Sequence, residues 1–224
     1  MFVDSNPGIL LLLGSLSIGA AAWLLPVLAF HRIKKSKGGQ LLKSVPFLVG
    51  WLLTIWCAWL AVPIIVTTTV LHAPIAGMGF YFPSVNTLLL ATGFLIGSRT
   101  TLSLVAHHLG IRDQGVLELD RLQARKVRYL KELTKQVTIL AFPEEVVNRG
   151  FILSTLLSAT SPVFGVLLSA FLFGLGHLPG RNVRFAFEIF VAGLLYGFAF
   201  VSAGLIPCVV GHVFINLLES DILQ

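Results

Sequence analysis

Three short motifs place polar side chains with acid–base or hydrogen-bonding chemistry inside apolar stretches of the chain. Their sequences are Glu144-Glu145-Val-Val-Asn148-Arg149, Phe173-Gly-Leu-Gly-His177 and His212-Val-Phe-Ile-Asn216. Ionisable groups in apolar segments are costly to bury, which makes them candidates for function. Carboxylates and imidazoles act as general acids and bases, whereas imidazole and amide N–H groups stabilise oxyanions. The motifs therefore predict a site at which a water molecule is activated.

Helical spacing separates the roles of the residues in the first motif. Glu145 and Arg149 are four positions apart on one face, which favours an ion pair within the helix. Glu144 is turned by about 100° from Glu145 and cannot easily share that pair. We expect Glu144 to face a cavity and to act as the general base. Glu145 and Arg149 are expected to support the site.

The other two motifs supply the remaining candidate catalytic groups. His212 and Asn216 lie one helical turn apart, so they offer hydrogen bonds at adjacent points for a developing oxyanion. His177 is expected to orient the attacking water or to share its proton with Glu144.

The composition is that of a membrane protein. The 224 residues are 56% hydrophobic and 12% charged, with a mean hydropathy of +0.89, whereas a soluble domain carries about 25% charged residues. Apolar segments fall at about 8–30, 45–71, 84–106, 137–157, 163–178, 185–201 and 205–218. We predict an all-α, polytopic transmembrane helical bundle of about seven spans, the last three short.

The positive charges predict how the chain crosses the membrane. Fourteen of the 16 Lys and Arg residues lie in alternate loops, which places those loops in the cytoplasm. The N-terminus is then outside and the C-terminus cytoplasmic, in a multi-pass protein of the cell membrane. The first segment lacks a basic flank, so we interpret it as a span rather than a signal peptide. The basic residues that give the net charge of +6 are expected to interact with the lipid bilayer rather than with nucleic acid.

Three regions follow from this organisation. Residues 1–110 are predicted to form the N-terminal transmembrane segments, 111–136 a cytoplasmic amphipathic linker helix, and 137–224 the catalytic transmembrane helices. The linker helix lies either on the inner leaflet, with its basic residues facing anionic head groups, or in solvent.

Several further residues are interpreted as structural. Arg99 is expected to extend to the cytoplasmic face, and Glu188 to be a charge on the first turn of the sixth segment. Gly193-Leu-Leu-Tyr-Gly197 is a GxxxG sequence, which predicts close helix packing. Cys57 and Cys208 lack metal or disulfide spacing and are expected to be small buried side chains.

The three motifs, in this order and on separate apolar helices, resemble the CAAX prenyl endoprotease and bacteriocin-processing (CPBP, or Abi) family of intramembrane proteases. The resemblance covers about residues 143–216. It implies that Glu144 and His177 activate water and that His212 and Asn216 stabilise the oxyanion, with Glu145 and Arg149 in support. The implied substrate is a membrane-anchored protein or peptide.

Three alternatives remain at this stage. The resembling family has been described as metal-dependent, so zinc held by Glu144, His177 and His212 is open; we favour a site without metal or cofactor because HExxH spacing is absent. A transporter or proton-coupled carrier would also bury Glu, His and Arg, but would usually show paired repeats, which we do not find. A non-catalytic membrane scaffold would be favoured by incomplete motifs, and these are complete.

Overall fold

The computed structural model of the protein describes residues 57–109, 141–178 and 181–222, together with the helical positions 14, 16–19, 21, 25 and 54. These residues contain helices and no strand, which confirms the predicted all-α class. We number the helices of the three continuous stretches α1 to α6. Helix α1 comprises the consecutive segments Cys57–Ala61, Val62–Ile65 and Val66–Val70, α2 is Val85–His108, α3 comprises Ala141–Glu145, Val146–Leu153 and Ser154–Ala159, α4 is Pro162–Gly176, α5 is Val183–Ala203 and α6 is Leu205–Ile222.

Two helices are long and apolar enough to cross a bilayer, judged by length and composition. They are Val85–Ala106 within α2 and Val183–Ala203, which is α5. The prediction that the sixth segment is short is therefore wrong, because α5 has 21 residues and extends beyond the expected 185–201 at both ends. Helices α1, α4 and α6 contain shorter apolar stretches.

Some predictions fall on parts of the chain that the structure does not describe. Most of segment 8–30, the first half of segment 45–71 and the linker helix 111–136 lie outside the described residues. The number of spans, the linker helix and the three-region division remain predictions.

The surface of α2 carries large apolar side chains that point away from the other helices. Leu89 is 65% exposed, Leu90 75% and Phe94 51%. Further exposed aromatic rings occur on α4 and α5, at Phe171 and Phe187. Such a continuous apolar exterior is unusual for a protein in water and is what a bilayer-facing surface requires.

Helix α3 lies at the centre of the described bundle. All residues from Glu145 to Leu153 are buried, including three polar ones, because this helix is surrounded by α4, α5, α6 and α1. Its segment Val146–Leu153 is a π-helix, a wider and rarer form that is frequent at functional sites. The first motif therefore sits on the most enclosed helix.

Close contact between α4 and α5 depends on glycine. A Cβ atom on Gly193 would lie 3.0 Å from the Ala170 Cα, and one on Gly197 would lie 2.8 Å from a Val166 methyl group. The close packing predicted from the GxxxG sequence is confirmed. This contact fixes α4, which ends beside His177, against α5.

The turn from α5 to α6 also requires glycine. Gly204 has a φ of +80°, and a Cβ atom there would lie 2.7 Å from the Tyr81 ring. The next residue, Leu205, donates its N–H to the Gly79 carbonyl oxygen at 3.1 Å. The start of α6, which carries His212, is thus anchored to the loop before α2.

A buried ion pair joins α2 to α5 and corrects two expectations. The Arg99 Nη1 atom lies 2.7 Å from the Glu188 Oε1 atom, with side-chain exposures of only 7% and 2%. Arg99 also donates to the Ser103 hydroxyl at 2.8 Å. Arg99 therefore does not extend to the membrane surface, and Glu188 lies beyond the first turn of α5 as a buried charge. Each of the two compensates the other's burial.

We expect Arg99→Leu to lower the free energy of unfolding by about 3–5 kcal/mol, because the Glu188 carboxylate loses its cation in a buried position. Replacing both residues with leucine should restore most of that loss. Denaturant titration of the purified protein in detergent would measure both variants. An equally unstable double variant would contradict the compensation argument.

The glycine contact yields a second stability prediction. Gly193→Ala should cost about 1–3 kcal/mol, because its methyl group overlaps the α4 backbone. Gly97→Ala on α2 is the matched control, since nothing lies within 4 Å of its new methyl group. That control should gain up to about 1 kcal/mol from helix propensity. Equal melting temperatures for both variants would show that the close contact at Gly193 does not determine the stability of the protein.

Candidate active site

Three helices bring the predicted catalytic side chains together. Glu144 lies in the first segment of α3, His177 follows the last residue of α4, and His212 lies within α6. The Glu144 Oε1 atom is 3.5 Å from His177 Nε2, and its Oε2 atom is 3.9 Å from His212 Nε2. One carboxylate thus faces two imidazoles.

These three side chains are enclosed but reachable. Glu144 and His212 are 13% exposed and His177 is 27% exposed. Glu145, the neighbour of Glu144, is fully buried. The two glutamates point in different directions, as predicted. Of the two, only Glu144 is partly exposed.

The Glu145 carboxylate joins two helices. Its Oε2 atom lies 3.3 Å from Arg149 Nε, which confirms the predicted ion pair within α3. Its Oε1 atom accepts a hydrogen bond from His212 Nδ1 at 2.8 Å. The contact with His212, 67 positions away, was not predicted. Glu145 therefore positions a histidine as well as balancing an arginine.

The hydrogen bonds of the two histidines define which ring nitrogen faces Glu144. His177 Nδ1 lies 2.9 Å from the Phe173 carbonyl oxygen, which can only accept. His212 Nδ1 faces the Glu145 carboxylate, which accepts in the same way. Each Nδ1 atom therefore carries a proton, and each Nε2 atom points at Glu144. The Glu144 carboxylate oxygens lie 3.5 Å and 3.9 Å from these Nε2 atoms, so a water molecule bound beside the carboxylate is within reach of an imidazole.

The Arg149 guanidinium group contacts two aromatic rings. Its Cζ atom is 4.1 Å from the Phe173 ring centre and 5.1 Å from the Tyr196 ring centre. Both terminal nitrogens lack hydrogen-bond partners among the described residues. Cation–π contacts, together with the Glu145 carboxylate, therefore compensate the buried charge.

Asn148 ties the first motif to its surroundings. Its side-chain amide donates to the Glu144 carbonyl oxygen at 2.9 Å, and its own carbonyl accepts from the Ser169 hydroxyl of α4 at 3.5 Å. These contacts hold the Glu144 backbone against α4, which leads to His177.

Asn216 lies one turn beyond His212, and α6 is helical through both residues. The predicted one-turn spacing is confirmed, whereas the role of this amide in oxyanion binding stays a prediction. In the parts of the chain that the structure describes, no three His, Cys, Asp or Glu side chains are arranged to hold a metal ion.

The comparison with protein families agrees with the motif pattern. Residues 131–218 match the family model described as Rce1-like, type II CAAX prenyl endopeptidase Rce1-like. The matched stretch contains all three motifs, so this part of the chain is similar to CAAX prenyl endopeptidases. Comparison with curated proteins and with solved structures gave no significant match.

Two aromatic residues of the site were given no role by sequence reasoning. Phe173 belongs to the second motif and Tyr196 to the GxxxG sequence, and neither pattern indicates a contact with Arg149. Their contacts with Arg149 depend on three different helices, so helical periodicity carried no signal for them. The position of Arg149 in an apolar segment was the one signal in the sequence that other side chains must compensate its charge.

Proposed function

We propose that this chain is an intramembrane endopeptidase that hydrolyses a peptide bond of a membrane-associated substrate. The observation that carries the proposal is the Glu144 carboxylate facing the Nε2 atoms of His177 and His212. The family match supports protease activity in general. The assignment of individual catalytic roles is our own.

In the proposed reaction, Glu144 is the general base. A water molecule bound beside Glu144 and His177 loses a proton to the Glu144 carboxylate while its oxygen attacks the substrate carbonyl carbon. His177 accepts a hydrogen bond from the same water through Nε2 and orients it. The proton held by Glu144 then passes to the leaving amine as the C–N bond breaks. Atoms and charges balance without a cofactor.

The oxyanion formed by this attack needs hydrogen-bond donors. We assign this role to His212 and Asn216, one turn apart on α6. Nδ1 of His212 is already engaged with Glu145, so only a protonated His212 presents an Nε2–H group to the oxyanion. Glu145 balances the resulting positive charge, which gives this residue a supporting role in the reaction.

The location of the site indicates the side from which the substrate enters, and the family match indicates the substrate class. Glu144 and His177 lie next to the predicted cytoplasmic ends of their helices, so we expect water and substrate to enter from that side of the cell membrane. The matching family is described by its CAAX prenyl endopeptidase activity. A peptide with a prenylated C-terminal motif is therefore the first substrate to test, and an unmodified membrane-anchored peptide is the second.

Glu144→Gln should abolish peptide release, with at least a roughly 100-fold loss of kcat, because the variant lacks the base but keeps the size of the side chain. Purified protein in lipid vesicles would be incubated with each peptide and the products identified by mass spectrometry. Glu118→Gln, in the predicted linker helix, is the control and should retain activity. Wild-type turnover by Glu144→Gln would overturn the proposal.

Treatment with a chelator tests the proposal that the hydrolysis requires no metal ion. Treatment of the purified protein with EDTA or 1,10-phenanthroline should change kcat by less than about twofold, because the chain's own residues supply the proposed acid–base chemistry. Loss of activity that added zinc restores would instead assign a metal to Glu144, His177 and His212.

A further inference from the structure

Tyr196 lies outside the three motifs, yet its side chain points into the site. It belongs to Gly193-Leu-Leu-Tyr-Gly197 on α5 and is 3% exposed. The two glycines of this sequence contact α4, as described above. The tyrosine lies on a different face of α5, so the same segment packs two helices and supplies a ring to the site.

The ring of Tyr196 contacts two residues of the candidate site. Its centre is 5.4 Å from the centre of the His212 ring, with an angle of 48° between the planes. The Arg149 Cζ atom lies 5.1 Å from the same ring. Aromatic pairs at such separations are attractive and depend on orientation.

Phe173 makes contacts of the same kind with Arg149 and with the other histidine. Its ring centre is 4.7 Å from that of His177, at an angle of 68°, and 4.1 Å from the Arg149 Cζ atom. A single guanidinium group thus contacts two rings, and each ring contacts one histidine of the site. The second motif contains Phe173, whereas no motif contains Tyr196.

We propose that Tyr196 is a positioning residue that sets the plane of the His212 imidazole. Rotation about the His212 Cβ–Cγ bond sets the ring plane, and the hydrogen bond from Nδ1 to Glu145 restrains this rotation only within the angular tolerance of one hydrogen bond. Contact with the Tyr196 ring narrows the rotation further and keeps Nε2 directed toward Glu144. The inference rests on the proposed function, because it assigns His212 to the reaction.

The backbone of Tyr196 is held separately from its ring, which allows the ring's role to be tested. The Tyr196 carbonyl oxygen accepts from the Cys208 thiol at 3.4 Å, and the flanking glycines hold α5 against α4. Removing the ring should therefore disturb His212 more than it disturbs the packing of α5.

Tyr196→Leu should lower kcat roughly 10- to 100-fold, as expected when a catalytic group is misplaced by about 1 Å, with KM changed by less than about twofold. Tyr196→Phe keeps the ring and should remain within about threefold of wild type in kcat. Phe200→Leu is the matched control. It removes a ring of 6% exposure one turn further along α5, where the ring packs against Gly79, and should leave kcat near wild type.

The activity readout uses a quenched peptide carrying a farnesylated C-terminal motif, with the protein in lipid vesicles. A second readout, independent of turnover, is the ¹⁵N spectrum of histidine-labelled protein, with His212 assigned by His212→Gln. Wild type, Tyr196→Phe and Phe200→Leu should each show a single His212 ring state with a proton on Nδ1. Tyr196→Leu should show exchange between two or more ring states.

The outcomes separate this inference from the proposed function. If Tyr196→Leu matches Phe200→Leu in both kcat and the His212 spectrum, the positioning role is wrong. An equal loss in Tyr196→Phe and Tyr196→Leu would also overturn it, because the hydroxyl rather than the ring would then matter. If Glu144→Gln cleaves the peptide like wild type while Tyr196→Leu still alters the His212 spectrum, the proposed reaction fails and the positioning contact stands.

Discussion

The compensation of one buried carboxylate organises the described site. Glu145 is fully buried among apolar side chains, where an ionised group without partners would be prohibitively costly. Arg149 approaches one of its oxygens from the same helix, and His212 approaches the other from α6. Loss of either partner would leave a buried charge unpaired, which is costly. Sliding of α6 along α3 would have this effect, so the two helices are held in one register. That register is what brings His212 to Glu144.

The neighbouring glutamates show how one helix can provide both a fixed and an accessible carboxylate. Glu145 has its two oxygens directed at Arg149 and His212, and it makes no contact with open space. Glu144, one residue earlier, is turned toward the histidines and is partly exposed. The rotation of about 100° per residue along a helix is enough to produce this difference. A pair of adjacent glutamates is therefore useful in a membrane helix because only one of them needs to remain accessible.

The sequence was sufficient for the parts of the site that depend on local spacing. The ion pair of Glu145 with Arg149, the opposite orientation of Glu144 and the close packing at Gly193 all follow from helical periodicity, and the structure contains them. Contacts between distant helices were not predictable in this way, because periodicity tells which face a residue occupies but not which residue it meets. The pairing of Arg99 with Glu188 and the hydrogen bond of Glu145 to His212 both belong to this second group.

Water access distinguishes the two buried ionic clusters. Ionisable residues in an apolar segment are candidates for function, and this rule applies equally to Arg99 and Glu188 and to Glu144 and its histidines. The first pair is almost completely enclosed, with exposures of 7% and 2%, so it can join α2 to α5 but cannot bind a water molecule that exchanges with solvent. Glu144 and His177 are 13% and 27% exposed. Hydrolysis consumes water at every turnover, so accessibility, rather than burial of charge alone, favours the Glu144 cluster as the reactive one.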